Sequence, residues 1–304
     1  MVLSIIDLGS NSIRMDIVNI NEETGEYNYL ERCRELVRLS EGMNMDGSLQ
    51  PEPMERAIDA LREFKAIMNE YKVNDVVAVA TAAVRKAKNG DEFCGRALDE
   101  TGISINVIKG EQEAEYDFLG VMGSLDIEDC IIVDTGGGST EFILVNENEP
   151  LARTSIPVGA VNMTEQFLYS GETAEALSGL SDYISSQLDK IHWLDDTCGL
   201  PIVCLGGSLY NLAVVNQNAP DAGRIALHGT IMTGDSVVET FEELMQMSPD
   251  ERHDAGIESG RVDTIICGIM PTVELINKTG SKQVIISTAG LKEGILTEFI
   301  STLV

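Results

Sequence analysis

Two matching stretches constrain this chain more than anything else in it. Asp7-Leu8-Gly9-Ser10-Asn11-Ser12-Ile13 follows the apolar run Val2 to Ile6, and Asp134-Thr135-Gly136-Gly137-Gly138-Ser139-Thr140-Glu141 follows the apolar run Cys130 to Val133. Adding 127 to each number lays the first on the second. Seven of the sixteen positions from 7 to 22 are then identical without a gap: Asp7/Asp134, Gly9/Gly136, Ser12/Ser139, Val18/Val145, Asn19/Asn146, Asn21/Asn148 and Glu22/Glu149. Unrelated hairpins rarely hold register that long, so a duplicated domain is expected, each half opening with strand, turn, strand. In each turn an acid ends a buried strand, and glycine lets successive N–H groups converge on one spot. Ser139 and Thr140 add hydroxyls, and Glu141 adds a second carboxylate. Such a turn suits a phosphate accompanied by a divalent metal. Taken singly, the second stretch also reads as an ordinary Gly-rich hairpin.

A chain of 304 residues, 43% of them hydrophobic, can bury two cores. The repeat sets the expected domains at 1–124 and 125–304, with the last helix able to pack back on the first. No apolar run approaches the roughly 18 residues that a membrane helix needs. Met1 to Ile6 lacks a basic flank and reads as a strand rather than a leader, so a cytoplasmic protein is expected. The net charge of −29 argues against nucleic acid or an anionic membrane as partner. It also sits awkwardly with a phosphate substrate. Residues 1–124 hold 13 of the 21 Lys and Arg, whereas residues 125–304 hold 8 against 27 acids, so a cationic clamp should come mainly from the N-terminal half. The six cysteines form no C-x-x-C pair and read as reduced thiols, several of them buried; the three histidines belong to no ligand pattern.

Along the chain, strands are expected at 2–7, 12–20 and 27–39, a helix from Pro51 through Tyr71, a strand at 75–80, one helix over 82–100, a strand at 103–108 and a helix at 111–122. The second half reads strands at 130–134, 140–147 and 150–156, a helix after Val158-Gly159-Ala160, a helix over 173–192, a strand at 202–205 and a short helix at 209–215. An irregular stretch at 216–231, helices at 234–246 and 257–277, a strand at 283–287 and a last helix at 292–302 follow. Strands alternating with helices after an opening meander imply an α/β class with mixed sheets.

Two further places carry possible chemistry. Gly206-Gly207-Ser208 lies between a strand and a helix, where glycines and a helix N-terminus could meet a phosphate or nucleotide; it also reads as a plain tight turn. No Lys follows it, and none of the three turns is G-x-G-x-x-G, which argues against a P-loop or a dinucleotide oxidoreductase. Gly110-Glu111-Gln112-Glu113-Ala114-Glu115 opens a helix, where acids ordinarily complement the dipole, and spacing alone does not choose a base among them.

Asp7 to Ser12, Ala80-Thr81-Ala82-Ala83-Val84-Arg85, Gly110 to Ala114, Asp134 to Glu141 and Leu205-Gly206-Gly207-Ser208 occur in one order. Together they resemble the exopolyphosphatase/guanosine pentaphosphate phosphohydrolase (Ppx/GppA) family of the actin-like ATPase superfamily, with Ser287 to Gly294 resembling the family's closing segment. The resemblance implies two ribonuclease-H-like domains with an active cleft between them. It implies hydrolysis of terminal phosphate from polyphosphate or guanosine penta/tetraphosphate with Mg²⁺ (or Mn²⁺). Glu113 is implied as the base and Arg85 as a phosphate ligand. Asp134 and Glu141, with Asp7, are implied to hold the metal or attacking water. Asp7, Gly9, Ser10, Asn11, Ser12, Arg14, Gly136, Gly137, Gly138, Ser139, Gly206, Gly207 and Ser208 are implied around the phosphate. Glu115 and Ser208 depart from the Arg and Thr common in the family. The larger members' C-terminal HD-type extension has no counterpart before Val304, so a short form is expected, and a homodimer is among the expectations. The competing readings are an ATP-dependent phosphotransferase of the same superfamily and a non-enzymatic (p)ppGpp or ATP sensor.

Overall fold

The computed structural model describes residues 1–220 and 223–303. The chain forms two compact units, Met1–Gly123 with Leu291–Val304, and Ser124–Gly290.

The first unit runs β1 (Val2–Leu8), β2 (Ser12–Ile20), β3 (Tyr27–Leu36), α1 (Pro51–Glu70), β4 (Asp75–Ala80), α2 (Ala82–Lys86), α3 (Gly90–Thr101), β5 (Ile105–Val107) and α4 (Gly110–Met122). Its sheet has the order β3-β2-β1-β4-β5; β1 to β3 are antiparallel, and β4 and β5 join in parallel. Alternate side chains of β1 leave on opposite faces. Ile6 and Leu8 meet Ala57, Ile58, Leu61, Phe64 and Met68, which recur at helical spacing along α1. Leu3 and Ile5 meet Tyr116 of α4 and, from the last helix, Ile295 and Leu296.

In the second unit come β6 (Cys130–Thr135), β7 (Thr140–Asn146), β8 (Glu149–Ile156), α5 (Ala160–Met163), α6 (Ala174–Leu188), β9 (Ile202–Leu205), α7 (Gly207–Asn216), β10 (Ile231–Thr233), α8 (Gly234–Gln246), α9 (Pro249–Asp254), α10 (Ile265–Thr279) and β11 (Gln283–Ile286). The sheet order is β10-β11-β9-β6-β7-β8. Its β8-β7-β6-β9 core repeats β3-β2-β1-β4, meander first and parallel strand last. The chain then returns to the first unit as α11 (Leu291–Ser301). This is the duplicated α/β architecture that the repeat demands.

Several element expectations need correction. The helix expected over 82–100 is two, because Lys88 donates its N–H to the Gly47 carbonyl and Asn89 braces the Leu49 backbone, pulling residues 87–89 out of helical geometry. The helix expected over 257–277 starts only at Ile265, since Arg252, Glu258 and Arg261 spend the preceding stretch on side-chain contacts. Strand β10 begins at Ile231, the last residue of the stretch read as irregular, within which Asp221 and Ala222 fall outside the described residues. The six cysteines are free thiols: Cys130, Cys204 and Cys267 are buried and pushed up to about 12 by burial, whereas Cys198 is exposed.

Candidate active site

The two repeated turns are built alike. Leu8 pairs with Ile13 across the first and Thr135 with Thr140 across the second. Gly9 donates its N–H to the Ser12 carbonyl at 3.1 Å, and Gly136 to the Ser139 carbonyl at 3.0 Å, again 127 residues apart. The segment after the third strand takes up the turn carbonyls in both units. The Ser10 carbonyl accepts from Ser40 and the Asn11 carbonyl from Val37 and Arg38, while the Gly136 carbonyl accepts from Ala160 and that of Gly137 from Val161 and Asn162. With their carbonyls committed to one side, the turn amides present N–H groups to the other, the concave arrangement that binds anions. Among the described residues no acceptor takes the N–H groups of Ser10, Asn11, Gly137 or Ser139. The Asn11 side chain, 7% exposed, likewise has no hydrogen-bond partner for its amide oxygen or nitrogen. A buried amide left this way is costly unless a ligand completes it.

Register carries the comparison outward from the turns. In the first unit Asp7 stands opposite Arg14, and Arg14 opposite Arg34. In the second, Asp134 stands opposite Glu141, and Glu141 opposite Ser155. Residues directly opposite share one sheet face. The repeat position that is Arg14 in one unit is therefore Glu141 in the other, and the rows differ in sign. Burial pushes the Asp7 carboxyl above its ordinary value, against the pull of Arg14 and Lys292, while Asp16 and Glu293 add to the rise. Lys292, at the start of α11, hydrogen-bonds to Asp16, which is 1% exposed.

Glu113 lies in the first turn of α4 and is 7% exposed, whereas Glu111 is exposed and Glu115 half-buried. Burial thus separates three acids that spacing could not. Arg85, in the last turn of α2, donates from Nη1 to Glu113 Oε2 at 2.9 Å and to the Ile108 carbonyl at 2.9 Å. One guanidinium so ties α2 to the loop that starts α4 and fixes the Glu113 carboxylate. Asp117, fully buried one turn further along α4, was not anticipated; its i+4 spacing from Glu113 was the available signal.

Gly206 caps α7 with φ +92°, a conformation open to glycine, and an added Cβ would lie 2.6 Å from the Thr135 carbonyl oxygen and 3.0 Å from Asp134 Oδ1. The turn is thus pressed against the end of β6. A buried Arg261 guanidinium lies over Gly207, its Nε donating to Glu258 Oε2 at 3.1 Å. This cation comes from the half that was expected to contribute less to a cationic clamp. Nothing in the local sequence around Arg261 signals it, because the contact joins residues 54 apart. Ser208 is fully buried, its hydroxyl turned toward Gly268 of α10 rather than toward solvent.

Among the described residues no group of three or more His, Cys, Asp or Glu is arranged to hold a metal. Asp134 and Glu141 nonetheless put two carboxylates directly opposite on one face, with Glu141 1% exposed. Like charges so placed repel, and a cation would offset them. Mg²⁺ is commonly held by one or two carboxylates together with substrate phosphates, so this pair fits a cation that arrives with a phosphate chain. Asp7 differs: its neighbour across the strands is Arg14, which leaves it less suited to the metal.

A sequence profile of the Ppx/GppA phosphatase family matches residues 17–303. Exopolyphosphatase 2 of Mycobacterium tuberculosis is 29% identical over 306 residues, covering 95% of this chain and 96% of that protein. A bifunctional 3-dehydroquinate synthase/phosphatase of Fusobacterium nucleatum is 28% identical over 93% of this chain, which spans 44% of its length. Guanosine-5'-triphosphate,3'-diphosphate pyrophosphatase of Photobacterium profundum is 35% identical over 61% of this chain and 37% of its own. Among solved structures, the Aquifex aeolicus Ppx/GppA family member superposes with a TM-score of 0.82 at 30% identity, covering 99% of this chain and 98% of that one. An exopolyphosphatase from Cytophaga hutchinsonii superposes with a TM-score of 0.91 at 25% identity, covering 99% and 98%. No described helix is long and apolar enough to cross a membrane. With its motifs in order, its two units built on one plan and the family profile matched over residues 17–303, this chain belongs to the Ppx/GppA phosphatase family.

Proposed function

We propose that this protein releases terminal phosphate from inorganic polyphosphate or guanosine pentaphosphate, using water activated by Glu113. The observation that carries the reading is the buried Glu113 carboxylate held by Arg85 at 2.9 Å, at the start of a helix. Cleaving a phosphoanhydride needs a positioned water, a proton acceptor and neutralisation of charge on the transferred phosphoryl group. Glu113 accepts the proton, and Arg85 keeps its carboxylate in one orientation. The turn N–H groups at residues 9–12 and Arg14 in the first unit, and those at residues 136–139 and the Gly206-Gly207 turn in the second, are each suited to phosphate oxygens. Asp134 and Glu141 are the residues that would hold Mg²⁺ or Mn²⁺; such an ion, when bound, offsets charge on the phosphoryl oxygens. Asp7 braces Arg14. Relatives named as exopolyphosphatase and as guanosine-5'-triphosphate,3'-diphosphate pyrophosphatase support a phosphoanhydride rather than a phosphomonoester as the substrate class. The reading assigns a cytoplasmic enzyme acting on a small or linear anion, without nucleic acid or membrane as partner.

Phosphate release measured in parallel from long polyphosphate, short polyphosphate, pppGpp and ATP, with and without Mg²⁺, tests it. Turnover without an added acceptor separates hydrolysis from phosphotransfer, and tight binding with no turnover would favour a sensor. Glu113→Gln keeps the shape and removes the basic carboxylate, so its rate should fall by about 10²–10⁴-fold, the usual share of general base catalysis. Release at near the parental rate would show that Glu113 is not the base.

A further inference from the structure

Ser155 has no place in the roles assigned so far, yet it stands beside one of the two acids of the second unit. We infer that Ser155 is a positioning residue for Glu141, fixing the orientation of its carboxylate toward the cation; this rests on the role proposed for Glu141 above. Ser155 lies on the edge strand β8, directly opposite Glu141 in the β7–β8 register. Its Oγ donates to Glu141 Oε1 at 2.7 Å. An ionised carboxylate only accepts hydrogen bonds, so the hydroxyl proton must point at Glu141. The bond is charge-assisted, the stronger class of hydrogen bond.

The setting makes orientation matter. Glu141 is 1% exposed, and Asp134 occupies the next position across the same face. Fixing Oε1 on Ser155 holds the carboxylate in one rotation about its terminal torsion, which is otherwise broad. Ser155 itself is exposed, so losing its hydroxyl removes a donor without opening the core. The equivalent row of the first unit ends in Arg34 instead. An acceptor-orienting hydroxyl is thus present in the row that carries two acids and not in the row that carries two guanidinium groups.

The test compares wild type, Ser155→Ala, Ser155→Thr, Ser155→Cys and Glu141→Gln. Mn²⁺ binding in the presence of inorganic phosphate is followed by electron paramagnetic resonance, and the half-saturating Mg²⁺ concentration by phosphate release. Removing the partner that orients a metal-holding side chain typically weakens the metal 10–100-fold, so Ser155→Ala should raise both midpoints by about that factor. Its melting temperature and its KM for polyphosphate at saturating Mg²⁺ should stay near wild type, and Ser155→Thr should restore the midpoints. Ser155→Cys keeps the volume with a weak donor and should fall between, which covers an Ala variant that misfolds. Unchanged midpoints in Ser155→Ala beside shifted ones in Glu141→Gln would overturn the role of Ser155 alone. Unchanged midpoints in Glu141→Gln would overturn the metal role of Glu141 and this inference together. The Mn²⁺ readout needs no turnover, so a failure of the hydrolytic reading is recognised separately.

Discussion

At the scale of single residues, duplication has diverged most sharply at one repeat position, Arg14 against Glu141. Both sit directly opposite an acid that ends the first strand, Asp7 or Asp134. In the first unit the change yields an acid flanked by Arg14 and Lys292; in the second it yields two carboxylates opposite one another. The Asp7 environment makes a pH prediction with a definite sign. Its folded carboxyl lies above the ordinary 3.8, chiefly through burial, so the folded state holds this proton more tightly than the unfolded chain. Folding is therefore favoured by Asp7 at low pH, and that contribution is lost as pH rises from about 4 through the folded value. Asp7→Asn removes the titration. The melting temperature of the variant relative to wild type should accordingly climb as the pH rises above about 4. A difference that is flat with pH would contradict the desolvated setting of this half-buried carboxyl. Spacing alone did not choose Glu113 over Glu111 and Glu115; the family resemblance chose it, and only the packed face shows that it is the buried one of the three.

At the scale of elements, each repeated turn depends on a segment it does not contain. Residues 37–40 hold the carbonyls of the first turn, and α5 holds those of the second. Gly159 packs directly on the Gly137–Gly138 backbone, while its own φ of −144° is ordinary extended geometry. Gly159→Ala thus carries no conformational penalty and acts only by pushing the turn. It should destabilise the protein by about 1–3 kcal/mol as an overpacked site. Phosphate release should fall by about 10²-fold, since a misplacement near 1 Å at reacting groups costs that much. Thermal unfolding together with kcat checks both, and a kcat that tracks stability alone would refute the dependence. Periodicity reveals α1, with Ala57, Leu61, Phe64 and Met68 on one face, because helical spacing is a local property. The break between α2 and α3 escapes it, since the residues that cause it, Gly47 and Leu49, lie about forty positions earlier.

At the scale of the molecule, the first unit is completed by the end of the chain. Ile295 and Leu296 of α11 enter the cluster formed by Leu3, Ile5, Val79 and Tyr116, Gly294 meets the Tyr116 backbone, and Lys292 reaches Asp16. Ending the chain at Gly290 should destabilise the first unit by about 3–6 kcal/mol, the burial of two aliphatic side chains at roughly 1.5–3 kcal/mol each. Hydrogen exchange would show it as lost protection in β1 and α4 with β6 and β9 of the second unit retained; unchanged protection would disprove the dependence. Much of this protein is settled by sequence alone: the duplication, the strand–turn–strand opening of each half, the acids that end β1 and β6, and the glycines that let the chain reverse there. All of these are written in short-range pattern, which fixes φ/ψ preference and facing without knowledge of distant neighbours. Only the tertiary structure decided that Glu113 is the buried acid, that Arg261 lies over Gly207, that Ser155 holds Glu141, and that α11 belongs with the first unit. Those are pairings across strand register or across long stretches of chain, and they exist only once burial and hydrogen bonding have brought remote residues together.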